Sequence, residues 1–563
     1  MKTIASWVNH YGLSSTLKNQ RVWLFASLLF AMLYGILFWR LVFEQPYAIQ
    51  DDARQHVFWM WRYVDPGLFP GDLVADYFQS VAPIGYKAIY RLAAWVGIHP
   101  LTFHKLLPPL ICLLGTVYTF YLALAVIPVP LIAFINTLIL NQALWMWDEL
   151  PSGTPKAFSV LLILALLFYV SRRSLVGCAV VICLQGLFYP HLVFISVLLL
   201  ALRIVWSQGS KGHHFRLFIV GAIVAVLVLL PYVLVTSPYG PVVTLEQAKT
   251  MAEFQPGGRN SYFHDDWVRY WLFSGRSGLL PPVVPTTICF SLLFPLLQWL
   301  KLPLLKKITR HGTLIVQFGI VSFVLFLLSH GVLFRLHLPS RYSRHSLKVI
   351  VAIASAVVLI ALLDWGLQRL NRAPQQIWKQ LVAIAMVAGV AMITVGYPLL
   401  LNSFLNVLYI KSDRVVLYEY IQQQSKDTLI ASLAKEAENI PAFTGRSVLL
   451  SRGHSLAYHQ GYYRQIRQRI LDLIRAQYSP DLSVLQSVIN DYGIDFWLVD
   501  EQSFNPDDMP GMWLRQFDAE WTVAITQLRA QPSALQRLQQ DCAVVSDQGK
   551  TMISAACLLA AKG

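Results

Sequence analysis

The stretch Trp39-Arg40-Leu41-Val42-Phe43-Glu44-Gln45-Pro46-Tyr47-Ala48-Ile49-Gln50-Asp51-Asp52-Ala53-Arg54-Gln55-His56 decides how the chain is read. It starts where a hydrophobic run, Leu24 to Trp39, ends, and a few residues later it sets two carboxylates side by side. Adjacent ionised groups at a membrane boundary repel one another and resist desolvation, so they need cations, a metal or water around them. On a helix Asp52 and His56 share a face at i,i+4 spacing, which suits a general base with an orienting partner. A helix N-cap plus surface charge at headgroup level accounts for the same residues equally well.

Outward from that stretch the chain is apolar. Hydrophobic residues make up 56% of its 563 positions and charged ones only 13%, against about 25% charged in an ordinary soluble domain. This is the composition of a polytopic α-helical membrane protein. Eleven stretches can cross roughly 30 Å of hydrocarbon as helices: 22–39, 106–126, 131–147, 157–171, 175–188, 190–206, 216–236, 278–300, 312–334, 347–368 and 378–402. The run 175–206 is read as two helices broken at Tyr189-Pro190-His191, because Pro190 lacks a backbone donor and the run is too long for one span.

Charge orients these spans. With the N-terminus inside, the inner segments hold Lys2, Lys18, Arg21, Arg172, Arg173, Arg203, Lys211, Arg216, Lys301, Lys306, Lys307, Arg310, Arg369, Arg372 and Lys379, with Asp364 the one acid near them. The net charge of +15 is then almost wholly cytoplasmic, as the positive-inside rule requires, and it needs no nucleic-acid partner. Trp39-Arg40 and a bulky loop follow the first segment where a signal peptide would show small residues, so a retained span is expected. No P-loop, dinucleotide fingerprint or zinc spacing is present.

Two domains are expected: a transmembrane domain over 1–402 with a large first outside loop at 40–105, and a soluble α/β domain over 403–563 on the outer side. Asp52 to Tyr63 reads as an amphipathic helix whose Phe58, Trp59 and Trp61 lie in the membrane interface, and Pro83 to Trp95 as a second short helix. The region after 403 carries 17 of the 30 acids. Thr428–Leu433, Phe496–Val499 and Thr522–Thr526 read as strands, and Asp481–Tyr492 as a helix stopped at Gly493. Cys112, Cys178, Cys183 and Cys289 fall in spans. If Gly549-Lys550 is a two-residue hairpin turn, Cys542 and Cys557 face one another, and a disulfide is allowed; two reduced thiols in another register fit as well.

Two further groupings carry candidate chemistry. Asp148-Glu149 lies in a short loop before Pro151-Ser152-Gly153-Thr154-Pro155-Lys156, on the face of Asp51-Asp52. Two acidic pairs could share a divalent cation, Mg2+ or Mn2+; a solvated loop is the stronger reading. Arg335, His337, Arg341, Arg344, His345 and Lys348 form a basic cluster on the outer side, against the positive-inside trend. Such a cluster asks for an anion, and arginine suits phosphate; outer-leaflet headgroups or the acids of the first loop would also neutralise it. Arg276 is a companion. Trp59, Trp61, Trp145, Trp147, Trp267 and Trp271 read as an aromatic belt more readily than as sugar platforms.

An acidic pair opening a long first outer loop, a many-spanning core and an outer C-terminal α/β domain resemble the GT-C superfamily of integral-membrane glycosyltransferases. Asp51-Asp52 matches the position of that superfamily's first-loop acidic pair, Asp148-Glu149 that of a second acidic motif, and Pro339-Ser340-Arg341-Tyr342 a Pro-x-Arg-aromatic element before a late span. The resemblance implies inverting transfer of a sugar from a polyprenyl-phosphate donor to a glycan, lipid or protein acceptor. Asp51 or Asp52 would be the base, Asp52 or His56 would orient it, and Arg341, Arg344, His345 and Arg276 would hold the leaving phosphate. It also implies a multi-pass protein of a bacterial plasma membrane with a periplasmic C-terminal domain; the whole chain is similar to bacterial, notably cyanobacterial, membrane proteins. The chain departs from oligosaccharyltransferases in lacking a Trp-Trp-Asp-Tyr-Gly signature, which speaks against en bloc glycan transfer to Asn. A lipid or solute transporter or flippase, and a non-catalytic envelope-polymer assembly protein, are the alternatives; the spans' near-absence of charge and of repeats weighs against transport.

Overall fold

A computed structural model describes residues 12–206, 211–299, 302–371, 377–402, 404–507 and 512–562; of the basic residues that orient the spans, Lys2, Lys301 and Arg372 lie outside them. Six helices are long and apolar enough to cross a membrane: Leu17–Phe43, Pro100–Val126, Lys211–Leu234, Gly312–Gly331, Ser340–Leu370 and Ile377–Leu400. Five shorter apolar helices, Pro130–Trp145, Pro155–Ser171, Leu175–Phe188, His191–Trp206 and Thr286–Leu297, fill the other stretches read from hydropathy. The protein is thus a polytopic helical membrane protein with a small sheet-containing C-terminal region.

Helix composition sets the packing order. Pro130–Trp145 is buried all round, as an element surrounded by others must be, and it packs on Leu17–Phe43, Pro100–Val126 and Ser340–Asn371. Leu17–Phe43 turns Phe25, Leu29, Leu33 and Ile36 outward, an apolar face suited to lipid. The break between Leu175–Phe188 and His191–Trp206 falls at Tyr189-Pro190 as expected. The stretch 278–300 differs from the expected straight span. Pro281, Pro282 and Pro285 remove backbone donors, and the chain enters through a 3-10 segment, Thr286–Leu293, before the short helix Phe294–Trp299.

The first loop also differs. Asp51–His56 is a helix of six residues, and Phe58–Tyr63 is a separate 3-10 turn. Phe58 and Trp59 are fully buried; the Phe58 ring meets Phe69 and His454 at 5.4 and 5.0 Å. Trp61 donates to the Ala442 carbonyl at 3.2 Å. These aromatics pack within the protein rather than lie in a membrane interface, because the C-terminal region covers them. The second expected helix is present as Ile84–Trp95.

The C-terminal region holds a five-stranded sheet in the order β4-β3-β5-β7-β6, with β3 Leu429–Ala431, β4 Ser447–Val448, β5 Phe496–Asp500, β6 Ala543–Asp547 and β7 Lys550–Ser554. β3 runs parallel to β4 and β5, and β7 antiparallel to β5 and β6. Asp481 caps the helix Leu482–Tyr492, and Gly493 ends it at φ 64°, a left-handed conformation glycine adopts without a Cβ penalty. The expected strand Thr522–Thr526 lies instead in the helix Asp518–Ala530. Its β-branched residues suggested a strand, but Trp521, Ala524 and Leu528 fall on one helical face and are buried, and the helix packs on Gln460–Tyr478.

Cys542 and Cys557 are disulfide-bonded, with Cα atoms 5.5 Å apart. The register behind that pairing is different from the expected one. Asp547 faces Lys550 and Ser546 faces Thr551, so the turn is Gln548-Gly549, both at positive φ. Cys557 sits in the terminal helix Ala555–Ala560, and the bond ties that helix to the start of the hairpin.

A second, two-stranded sheet joins the two regions: β1, Ala48–Gln50, pairs antiparallel with β2, Tyr409–Lys411. Asp51 begins where this sheet ends.

Candidate active site

The carboxylate pair is positioned by backbone. The Asp51 N–H donates to the Leu408 carbonyl at 3.0 Å. The Gln50 side-chain oxygen accepts from the N–H groups of Asp52 and Ala53 at 2.7 and 3.4 Å, which satisfies donors that a helix start leaves open. Two successive side chains then leave the helix in different directions. Asp51 pairs with Arg54 of its own helix, and Arg54 also binds Glu438 at 2.7 Å and Asn439 at 2.6 Å. Asp52 pairs with Lys156.

Lys156 arrives from the loop after Pro130–Trp145. That loop turns at Gly153, φ 59°, where an added Cβ would lie 2.6 Å from the His104 carbonyl oxygen; only glycine fits. The Lys156 ammonium also binds Asp148, at 2.5 Å. The two acidic pairs do converge, as the sequence suggested, but they share an ammonium where a divalent ion was considered. Glu149 points elsewhere, to Lys348 and, at 3.4 Å, to the His345 ring. Among the described residues no group of three His, Cys, Asp or Glu side chains could hold a metal ion. Asp148 and Glu149, considered above as metal ligands, each pair with a lysine.

The basic cluster divides as well. Arg344 is spent on backbone: its guanidinium donates to the carbonyls of Leu280 and Phe273, both at 3.1 Å, and lies over the Trp147 ring. Arg276 donates to the Ser261 carbonyl at 3.0 Å. His345 lies between Glu149 and Ser159. These three expected phosphate ligands each have partners within the protein. Arg341 is different. No hydrogen bond or ion pair reaches its guanidinium among the described residues, and its Nε is buried without a partner. Asp52, Asp148, Glu149 and Tyr189 face it electrostatically. His191 Nδ1 is likewise buried and unpartnered, and the His191 ring lies 4.4 Å from that of His337.

Burial decides the protonation states. Desolvation pushes the Asp52 carboxyl up, but the cations around it, Lys156 foremost and Arg341 behind it, outweigh that and bring it down to about 2. Asp52 is therefore ionised at neutral pH while its side chain stays 28% exposed. Burial pushes the His56 imidazole down against the opposing pull of Asp52, so it is neutral at pH 7 and packs edge-on to Phe78. Burial also opposes ionisation of Glu149, yet Lys348 and His345 hold it well below the usual carboxylate range.

The site thus gathers Asp52, His56, Asp148, Lys156 and Arg341, with His191 and His337 beside the arginine. Lys156 and His191 were not singled out from the sequence. Lys156 could have been, as a lone cation in a loop on the face of two acidic pairs; His191, as a polar residue at a helix break. What the arrangement can do chemically is limited to an accessible ionised carboxylate next to an arginine that no anion neutralises directly.

No protein-family model matches the sequence, and no curated protein sequence is significantly similar to it. Solved structures do match in fold. The archaeal oligosaccharyltransferase AglB from Archaeoglobus fulgidus, in complex with an inhibitory peptide and a dolichol-phosphate, superposes with TM-score 0.56 at 9% identity over 92% of this chain and 72% of that one. The apo form of the Archaeoglobus fulgidus oligosaccharyltransferase gives 0.54 at 10% over 86% and 70%. The form of it tethered to an acceptor peptide gives 0.51 at 10% over 92% and 72%. These neighbours are GT-C glycosyltransferases, and the chain has the GT-C fold.

Proposed function

We propose that the protein is a membrane glycosyltransferase that moves a sugar from a polyprenyl-phosphate carrier to an acceptor hydroxyl, with inversion at the anomeric carbon. The observation that carries this reading is an accessible ionised carboxylate, Asp52, within the electrostatic reach of an arginine, Arg341, that has no hydrogen-bonding anion among the described residues. A phosphate is the anion a guanidinium binds best. A fold shared with a protein whose structure holds dolichol-phosphate supports the choice of carrier.

In this mechanism the acceptor O–H gives its proton to Asp52 as its oxygen attacks the sugar's anomeric carbon. The bond from that carbon to the phosphate oxygen breaks, and the polyprenyl phosphate leaves with the electron pair. Arg341, with Lys156 and His191, stabilises the charge that develops on it. Asp52 at about 2 is a weak base while Lys156 holds it. A donor phosphate that draws Lys156 towards itself weakens the lysine's hold on Asp52 and raises its basicity, which couples donor binding to proton transfer. Neutral His56 orients the carboxylate.

The distribution of basic residues supports a cytoplasmic N-terminus and a C-terminal region on the other face of a bacterial plasma membrane, a face without nucleotide sugars, which suits a lipid-linked donor. Purified protein incubated with polyprenyl-phosphate-linked sugars and candidate glycan, lipid or protein acceptors should yield a glycoside and free polyprenyl phosphate. No product with any donor, together with movement of a lipid or solute in a vesicle assay, would replace the enzyme by a transporter.

A further inference from the structure

Asp51 and Asp52 are neighbours in sequence, yet their side chains pair with different cations, and the cation that holds Asp51 is anchored in the C-terminal region. The Arg54 side chain is 4% exposed. One of its terminal nitrogens serves both Asp51 and the Glu438 carboxylate, and the other binds the Asn439 side-chain oxygen at 2.6 Å. Asn439 is itself fixed: its amide donates to Glu436 at 2.7 Å, and Glu436 also receives Tyr418 and lies 3.1 Å from Arg414. The pairing of β1 with β2 brings the same two regions together on the backbone side of Asp51.

We propose that Arg54 is a positioning residue of the transferase site, held in place by Glu438 and Asn439, and that the C-terminal region thereby determines which of the two adjacent carboxylates acts as the base. The inference rests on the transferase reading above. Two adjacent carboxylates would compete for Lys156, which already serves Asp52 and Asp148. By pairing Asp51, Arg54 leaves the lysine to Asp52 and Asp148. A buried ion-pair network is costly to desolvate and seldom repays that cost in stability alone, so its retention between a catalytic loop and a separate region suits a positional role.

The charged groups around this network bound its pH behaviour. Lys156, His56 and Arg341 face Asp52; Arg54 faces Asp51; Arg54 and Arg259 face Glu438. His454, against Phe58 and near Arg54, is pushed down to about 3 by burial, then by Arg54 and Arg259, and stays neutral across the working range. Loss of Arg54 leaves an unpaired negative charge next to Asp52, and a like charge raises a carboxyl's pKa by about one unit or more.

The test is kcat and KM for a polyprenyl-phosphate-linked sugar across pH, for wild type, Arg54→Gln and Arg54→Gln/Asp51→Asn. Arg54→Gln should lower kcat about tenfold, the scale of losing an orienting partner, change donor KM less than about twofold, and move the acidic limb of kcat/KM to higher pH by about one unit. Adding Asp51→Asn should return the limb towards its wild-type position, because the freed carboxylate is gone. A clasp that merely joins two regions would lower the melting temperature and the yield of both variants while leaving the limb unmoved, and that result overturns the proposal. Arg54→Gln strands Glu438 in a buried position; if it does not fold, Arg54→Gln/Glu438→Gln removes the stranded charge and should show the same limb shift, whose absence is equally contrary. A wild type inactive with every donor sinks the transferase reading and this one with it; an active wild type with an unmoved limb sinks this one alone.

Discussion

Arg341 and Arg344 stand three residues apart at the start of one helix, Ser340–Asn371, and are used in opposite ways. Arg344 donates to two carbonyls and lies over an aromatic ring; Arg341 has no hydrogen-bond acceptor among the described residues. The acids repeat the contrast. Glu149, 3% exposed, is locked to Lys348, whereas Asp52 and Asp148 share one lysine and stay partly open to solvent. A closed set of ion pairs, Glu149-Lys348-His345, therefore lies beside an open one, Asp52-Lys156-Asp148-Arg341. Closed pairs brace the ends of helices that enter from different directions. Open ones have valences left for a ligand.

The contrast predicts effects of different kind and size. The largest falls on Asp52. Asp52→Asn keeps the shape and removes the base, and turnover should fall by about 10²–10⁴-fold with carrier binding retained, measured as polyprenyl phosphate released per enzyme. An equal loss on Asp51→Asn, which the structure pairs with Arg54, would blur the distinction between the two carboxylates.

The next effect falls on the closed set. Lys348→Met leaves Glu149 buried without its cation, which should cost about 3–5 kcal/mol of stability, read as a lowered melting temperature in detergent. Comparable stability in this variant would mean that Glu149 finds water or protonates, and that the set is less closed than described. Outside both sets, the Cys542–Cys557 bond closes a separation of 15 residues. Its reduction should cost the C-terminal region about 3 kcal/mol and leave turnover unchanged; a large loss of turnover would tie the terminal helix to the site.

Much of this architecture is legible in the sequence, because hydropathy and turn residues act locally. The eleven apolar stretches, the break at Pro190, the Asp481 cap and the stop at Gly493 each follow from a few adjacent residues. The parts that were not legible depend on what packs from afar. Thr522–Thr526 carries strand-forming residues, and only the helix Gln460–Tyr478 opposite makes it helical. Phe58 and Trp61 look interfacial until a region some 380 residues later packs on them. In the site, acidic and basic residues could be named but not sorted: nothing near Arg344 in sequence announces the carbonyls of Phe273 and Leu280, and nothing near Asp51 announces Glu438. The disulfide was reachable by an incorrect register, since the terminal helix places Cys557 as near to Cys542 as a longer hairpin would have.

The smallest effect sharpens the comparison between the two arginines. Arg341→Ala should weaken polyprenyl-phosphate binding by about 1.5–3 kcal/mol, the scale of a charge-assisted bond, with little change in melting temperature. Arg344→Ala should do the reverse, lowering the melting temperature while the affinity of folded protein for the carrier holds. Unchanged carrier binding in both would favour lipid headgroups as the cluster's partner.

The central claim, that the open set is the site of a phosphate-linked donor, is tested most directly by a structure of the protein with polyprenyl phosphate bound. The account predicts the phosphate within hydrogen-bond distance, roughly 2.7–3.2 Å, of Arg341, with Lys156 turned towards it and Arg344 still on its two carbonyls. A phosphate seated on Arg344 or Arg276, or anywhere that leaves Arg341 without a partner, would contradict it.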